Sequence, residues 1–254
     1  MTPRPRLSVN VNKVATLRNS RGGTRPSVLE AVDACVRAGA PGITVHPRAD
    51  GRHITATDVR EVAAVLASRP DVELNVEGDP RPDLLALVHE VRPAQCTLVP
   101  VQPGEVTSHA GWPADTPREA LAASVRELRA RGVRVSLFVD AAEAAVRWAA
   151  ALETDRVELY TEPFARAFEA GADRAQASFT TYATMARLAH RLGLGVNAGH
   201  DLDLDNLALF RRLPHLAEVS IGHALISRAI FTGLERTVRE YLDVLRQSPE
   251  SSDS

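Results

Sequence analysis

Short apolar runs alternate with longer amphipathic stretches eight times along this chain, and no other feature constrains its fold as strongly. The strand-like runs are Leu7–Val11, Ile43–His46, Val72–Val76, Cys96–Val99, Val133–Val139, Arg156–Tyr160, Leu194–Ala198 and Glu218–Ile221. They are too short for buried helices and are bounded by turn residues. Helical patterns fill the intervals. The first runs from a Ser27 cap to about Ala38, where Gly39 stops it; the second follows Thr55, with Asp58 where a capping box places its acid. The others cover about Asp83–Val91, Pro117–Arg131, Ala141–Leu152, Arg174–Leu192, Leu204–Leu213 and Ala224–Leu245. Strictly alternating strands and helices pair in parallel. Eight such units with no linker predict an α/β fold, a closed (β/α)8 TIM barrel forming a single domain over residues 1–254. An open doubly wound sheet is the competing arrangement, but no GxGxxG follows the first strand. The tail from Ser248 to Ser254 is rich in Ser and acid and is expected to fray.

Composition narrows the functional classes. Thirty basic residues against 32 acidic ones leave a formal charge of -2, which gives no electrostatic case for nucleic acid or an anionic membrane as partner. Any phosphate site must therefore be local. The opening MTPRPRLSVN lacks the apolar run of a signal peptide, and no stretch reaches the length of a membrane span. Cys35 and Cys96 have no metal-binding spacing and read as small core residues of a reduced, cytoplasmic protein.

Barrel enzymes work at the C-terminal ends of their strands, and nearly every strand here ends in polar residues. Asn10, Asn12, Lys13, Arg18 and Arg21 follow the first strand, and His46, Arg48, Arg52 and His53 follow the second. Two imidazoles and two guanidiniums within eight residues form a titratable, cationic cluster suited to an anion and to proton transfer. Alternation puts Asn75 and Glu77 on one face of the third strand, so Glu77 is a candidate general base if that face meets the barrel mouth. Glu105, Thr107 and His109 follow the fourth strand, Asp140 the fifth, and Glu158, Tyr160 and Glu162 end or follow the sixth. The segments Asn197–Asp201 and Ile221–His223 end the last two strands, where barrels often hold phosphate on backbone N–H groups and a helix N-terminus. His46 and His200, on different sides of the mouth, could exchange protons with a substrate between them. His89, His190 and His215 fall at helix positions on the wrong side and read as surface residues.

Other chemistries find less support. His46, Glu77 and His200 could form a two-histidine, one-carboxylate metal set, but no HxH or HExxH pairing supports it and the neighbouring arginines oppose a cation, so no metal is expected. There is no GxSxG nucleophile, and the only lysine available for a Schiff base is Lys13.

Taken in order, VNVNKVATLRNSRG, GITVHPRADGRHI, LNVEGDPRPDLL, CTLVP with PGEVTS, VSLFVD, VELYTEP, VNAGHDL and EVSIGHALISRAIFTGL resemble the pyridoxine 5'-phosphate synthase family over nearly the whole chain. The resemblance implies a (β/α)8 barrel with extra helices, assembled as a homo-octamer, a tetramer of dimers. The apolar stretch of the long helix around Phe179 to Leu192 would suit such an assembly. It also implies the joining of 3-amino-2-oxopropyl phosphate and 1-deoxy-D-xylulose 5-phosphate to give pyridoxine 5'-phosphate, phosphate and water, without a cofactor. By motif, His46 and Glu77 look like proton acceptors and His200 like a proton donor. Asn10, Arg21, Asp201, Gly222 and His223 resemble contacts to the amino-ketone phosphate. Asn12, Lys13, Arg48, His53 and Thr107 fall where the family holds the ketose phosphate. Two positions depart from the common pattern: many members carry Asp-His in place of Asn12-Lys13, and Gly in place of Asp201. The chemistry suits the residues, since imine formation, dehydration and ring closure need repeated proton shuttling and two anion sites. The amine comes from the substrate. Another phosphosugar-handling aldolase or isomerase barrel, or a non-catalytic vitamer-binding barrel, are the alternatives; turnover of both substrates together separates them.

Overall fold

The computed structural model describes residues 4–101 and 109–247. Eight parallel strands close into a barrel in sequence order: β1 (Arg6–Asn10), β2 (Gly42–Val45), β3 (Glu73–Gly78), β4 (Gln95–Leu98), β5 (Arg134–Val139), β6 (Arg156–Tyr160), β7 (Gly195–Gly199) and β8 (Leu216–Ile221). β8 pairs back onto β1, with Leu7 opposite Val219 and Val9 opposite Ile221. Each strand lies within two residues of its expected bounds.

The helices among the described residues are α1 (Asn12–Asn19), α2 (Val28–Arg37), α3 (Ala56–Leu66), α4 (Pro82–Val91), α5 (Glu119–Ala130), α6 (Glu143–Ala151), α7 (Glu162–Glu169), α8 (Ala172–Arg191), α9 (Leu204–Phe210), α10 (His223–Thr232) and α11 (Leu234–Arg246). Both expected caps form: Ser27 accepts from the Glu30 N–H, and Thr55 and Asp58 make a reciprocal capping box. The expected final helix is two helices, because Gly233 adopts φ +84°, outside the right-handed helical region. Two short helices were not anticipated. α1 begins directly after β1, and α7 precedes the long α8. α1 has few apolar positions and little periodicity to read, whereas α7 is amphipathic but only eight residues long.

Alternation along the strands sorts the side chains. Leu7, Val9, Ile43, Val45, Val76, Leu98, Leu137, Val157, Leu159 and Val219 are buried in the hydrophobic core that joins barrel to helices. The barrel interior, by contrast, is polar. Ser8 and Thr44 hydroxyls share a 2.6 Å bond, Thr97 donates to Asn75, and Gln95 and Asn197 both donate to Glu218 at 3.3 Å. Arg156 and Arg134 hydrogen-bond Asn197 and Gln95 at 2.9 Å, and Glu73 pairs with Arg6 and Arg134 at the N-terminal ends of the strands. An unpaired buried polar group costs roughly 1–3 kcal/mol, so mutual satisfaction is what makes such an interior tolerable. Cys35 and Cys96 are buried and unpaired, and burial pushes both thiols up to about 12. No helix among the described residues is long and apolar enough to cross a membrane.

Candidate active site

A cavity of about 350 Å³ opens at the C-terminal ends of the strands. Its wall contains Asn10, Asn12, Lys13, His46, Arg48, His53, Glu77, His200, Asp201, Gly222 and His223, so most of the expected site residues converge there. Arg21 does not line it. Arg21 is exposed, two residues past the end of α1. Thr107 lies outside the described residues, as does the tail from Ser248.

The β2 loop is held from two sides. From α1, the Asn12 side-chain oxygen Oδ1 accepts from the His46 N–H at 2.9 Å, and Asn19 donates to the His53 carbonyl at 2.8 Å. Arg18 reaches Asp58 at 2.5 Å and so anchors α1 to α3. From the loop after β3, Arg81 donates to the Pro47 carbonyl at 2.6 Å while bonding Asp79 at 2.6 Å. These contacts keep His46 and His53 buried, their rings meeting edge-on at 5.8 Å.

The structure corrects the charge expected for this cluster. Burial, followed by the charges of His53, Arg48 and Arg81, pushes His46 down to about 3. Burial, then Arg48 and Lys13, pushes His53 down to about 4. Both imidazoles are neutral near pH 7, so the positive charge at the mouth comes from Arg48 and Lys13. Arg52 turns onto Asp50 at 2.5 Å. The buried Nε2 of His46 and Nδ1 of His53 have no hydrogen-bond partner among the described residues.

Glu77 points into the barrel, as the alternation of β3 requires, with Oε2 3.9 Å from His46 Nδ1. Burial, then the charge of Glu218, raises it to about 8, against a smaller opposing hydrogen bond from Ser220. Glu77 thus binds a proton more tightly than an ordinary carboxylate does. Glu158 lines the same cavity, almost fully buried, and is raised by burial and by the charges of Glu77 and Glu218. Sequence reading noted Glu158 at the end of its strand without giving it a role. The usable signal was its alternation with Val157 and Leu159, which puts a carboxyl on the inner face. Ser220 was missed because a serine in a strand carries no such mark. Gly199 makes room for this arrangement, since a Cβ there would lie 2.4 Å from Glu158 Oε1.

His200 and Asp201 follow β7, and His200 Nδ1 lies 2.9 Å from Asp201 Oδ2. Tyr160 meets the His200 ring edge-on at 5.1 Å, and Val99 and Phe138 add an apolar wall. Gly222 caps α10, whose N-terminus presents backbone N–H groups beside His223, a geometry suited to an anion. The remaining histidines lie away from the cavity. His190 and His215 stack at 3.7 Å, and His89, half-buried instead of on the open surface, lies 3.4 Å from Glu127.

Comparison with known proteins gives a consistent picture. Residues 7–247 match the family described as pyridoxal phosphate biosynthesis protein PdxJ. The pyridoxine 5'-phosphate synthase of Christiangramia forsetii is 50% identical over 242 residues, covering 95% of this chain and 99% of the relative. That of Porphyromonas gingivalis is 50% identical over 241 residues, covering 94% and 98%. That of Xanthomonas oryzae pv. oryzae is 50% identical over 250 residues, covering 95% and 97%. Solved structures share the fold at low identity. A native KDPGal structure superposes with a TM-score of 0.61 at 8% identity, over 94% of both chains. A phosphoribosylanthranilate isomerase from Thermotoga maritima gives 0.58 at 13%, over 95% of this chain and 98% of the other.

Proposed function

Since the chain belongs to the PdxJ family of pyridoxal phosphate biosynthesis proteins, we propose that the cavity at the strand ends carries out its ring-closing condensation with His46, Glu77 and His200 as the proton-transferring groups. The activity is that of pyridoxine 5'-phosphate synthase. 3-Amino-2-oxopropyl phosphate and 1-deoxy-D-xylulose 5-phosphate combine to give pyridoxine 5'-phosphate, inorganic phosphate and water. The observation that carries the residue assignment is convergence: groups from the ends of β1, β2, β3, β6, β7 and β8 line one cavity.

The chemistry follows from these environments. The substrate amine attacks the ketose carbonyl, and the resulting imine must lose water and phosphate before the ring closes. Neutral His46, with Nε2 unpartnered, accepts a proton without first having to release one. Glu77, with its midpoint near 8, exchanges protons close to neutrality, and the adjacent Glu158 offers a second carboxyl able to hold that proton. His200, across the mouth, returns a proton to a departing oxygen. Two anion sites flank these groups. Arg48, His53, Asn12 and Lys13 surround the ketose phosphate, while the α10 N-terminus, Gly222, His223, Asn10 and the Asp201 backbone surround the amino-ketone phosphate. No metal or organic cofactor enters this reading.

The assembly is the homo-octamer, a tetramer of dimers, that the family resemblance implies. Support comes from Ile230 and Phe231 on α10, 70% and 89% exposed, and Leu17 on α1, 56% exposed. α8 is not the source of that surface, because Tyr182, Met185, Ala186, Leu188 and Ala189 are buried within its own chain. A cytoplasmic setting accords with two buried, unpaired cysteines. Incubation with both substrates, following pyridoxine 5'-phosphate and free phosphate together, tests the function. Turnover of a single phosphosugar without the amino ketone would overturn it.

A further inference from the structure

Building on the reading of His200 as a proton donor, we propose that the Asp201 side chain is a positioning group, not a phosphate ligand: its carboxylate accepts the Nδ1 proton of His200 and holds the ring with Nε2 free for the cavity. The geometry is direct, with Nδ1 and Oδ2 2.9 Å apart. An ionised carboxylate can only accept, so the proton in this bond belongs to Nδ1. Asp201 is ionised, because the His200 bond and the charges of His200, His223 and Lys13 hold its carboxyl below the usual range against the effect of burial.

The backbone gives an independent indication. His200 has φ +87° and Asp201 φ +60°, a left-handed conformation that glycine adopts freely and other residues rarely. Two successive side-chain-bearing residues persist there only where their surroundings hold them. The fully buried Thr161 supplies one clamp, its hydroxyl donating to the Gly199 carbonyl at 2.7 Å and also to that of His200. Asn206, in the first turn of α9, supplies the other by donating to the Asp201 carbonyl at 3.1 Å. Tyr160 at 5.1 Å limits swing of the His200 ring.

The charged and titratable groups around this pair come from four elements: Lys13 on α1, Glu158 and Tyr160 on β6, Glu162 on α7 and His223 on α10. The Asp201 side chain is 38% exposed, so solvent screens its charge. Orientation, more than electrostatic stabilisation, is therefore what it contributes. As a direct phosphate ligand it would set one anion against another, whereas the backbone N–H groups of the same turn carry no such conflict.

Asp201→Gly in the full-length protein tests the proposal, because glycine suits the observed φ and keeps the turn. We expect kcat to fall about 10-fold or more, as when the partner of a working imidazole is removed. The KM of each phosphate substrate should stay within about 2-fold. Imidazole nitrogen NMR, with His200 assigned by its loss in His200→Gln, should show the Nδ1-protonated tautomer in the unsubstituted protein and the Nε2-protonated one in Asp201→Gly. An unchanged kcat, an effect confined to the KM of the amino-ketone phosphate, or an Nε2-protonated His200 in the unsubstituted protein would each overturn the proposal. Failure of the unsubstituted protein to join the two substrates would remove the functional reading instead, and the tautomer would then decide the role of Asp201 by itself.

Discussion

Glu77 shows how far environment, rather than residue type, decides a role. Buried between His46 and the polar barrel interior, it is raised from 4.5 to about 8. Its native form therefore binds a proton more tightly than its unfolded form. The stability this contributes is fully present below pH 4.5 and is lost as pH rises through about 8. Glu77→Gln removes the ionisation while keeping the shape. The variant should lose about 10²-fold in kcat if Glu77 transfers protons. Its thermal midpoint should fall less than that of the unsubstituted protein between pH 5 and pH 9, by calorimetry at matched ionic strength. Near-normal turnover would take Glu77 out of the proton-transfer role. His53 supports a narrower prediction. It lies beside Arg48 and away from Gly222, so His53→Ala should weaken the ketose phosphate by roughly 1.5–3 kcal/mol, the cost of a hydrogen bond to a charged group. Titration calorimetry with each substrate checks this, and equal losses for both would show the assignment to be wrong.

At the level of elements, the site depends on how the β2 loop is braced. α1 holds it through Asn12 and Asn19, and the loop after β3 holds it through Arg81. Arg81 bonds Asp79, Asp83 and the Pro47 carbonyl with a side chain only 16% exposed, so each of its three nitrogens is engaged. Arg81→Ala should free Pro47, and with it His46 and Arg48. The expected result is a loss of about 10-fold in kcat/KM from misplacement of groups that Arg81 itself does not join in the cavity. Arg81→Lys should recover little, since one ammonium cannot reproduce the planar fork. Full activity in Arg81→Ala would mean that α1 alone positions the loop.

For the molecule as a whole, the exposed α10 residues carry the prediction. Ile230 and Phe231 are 70% and 89% exposed side by side on α10, an apolar pair that a second subunit would cover. If the proposed octamer forms through this face, Phe231→Asp should give smaller species in light scattering while leaving the circular dichroism of the barrel unchanged. An intact octamer would move the interface elsewhere on the surface.

Much of this was legible along the chain because it depends on local periodicity. Strand and helix alternation specified the barrel, and the Ser27 and Thr55 caps and the inward face of β3 followed from spacing alone. Motif order identified the family and marked most of the residues that line the cavity. The tertiary structure decided what depends on distance between elements. It made α1 a helix, with Arg21 exposed past its end and outside the cavity lining, and it broke the last helix at Gly233. It also neutralised His46 and His53, because burial and neighbouring positive charges outweigh the intrinsic basicity of an imidazole. Burial in the barrel interior, together with the neighbouring carboxyls, likewise raised the proton affinity of Glu158 and Glu77. Residue types and their order are written in the chain, but proton affinity depends on what is packed beside each group, and only the closed barrel brings those neighbours together.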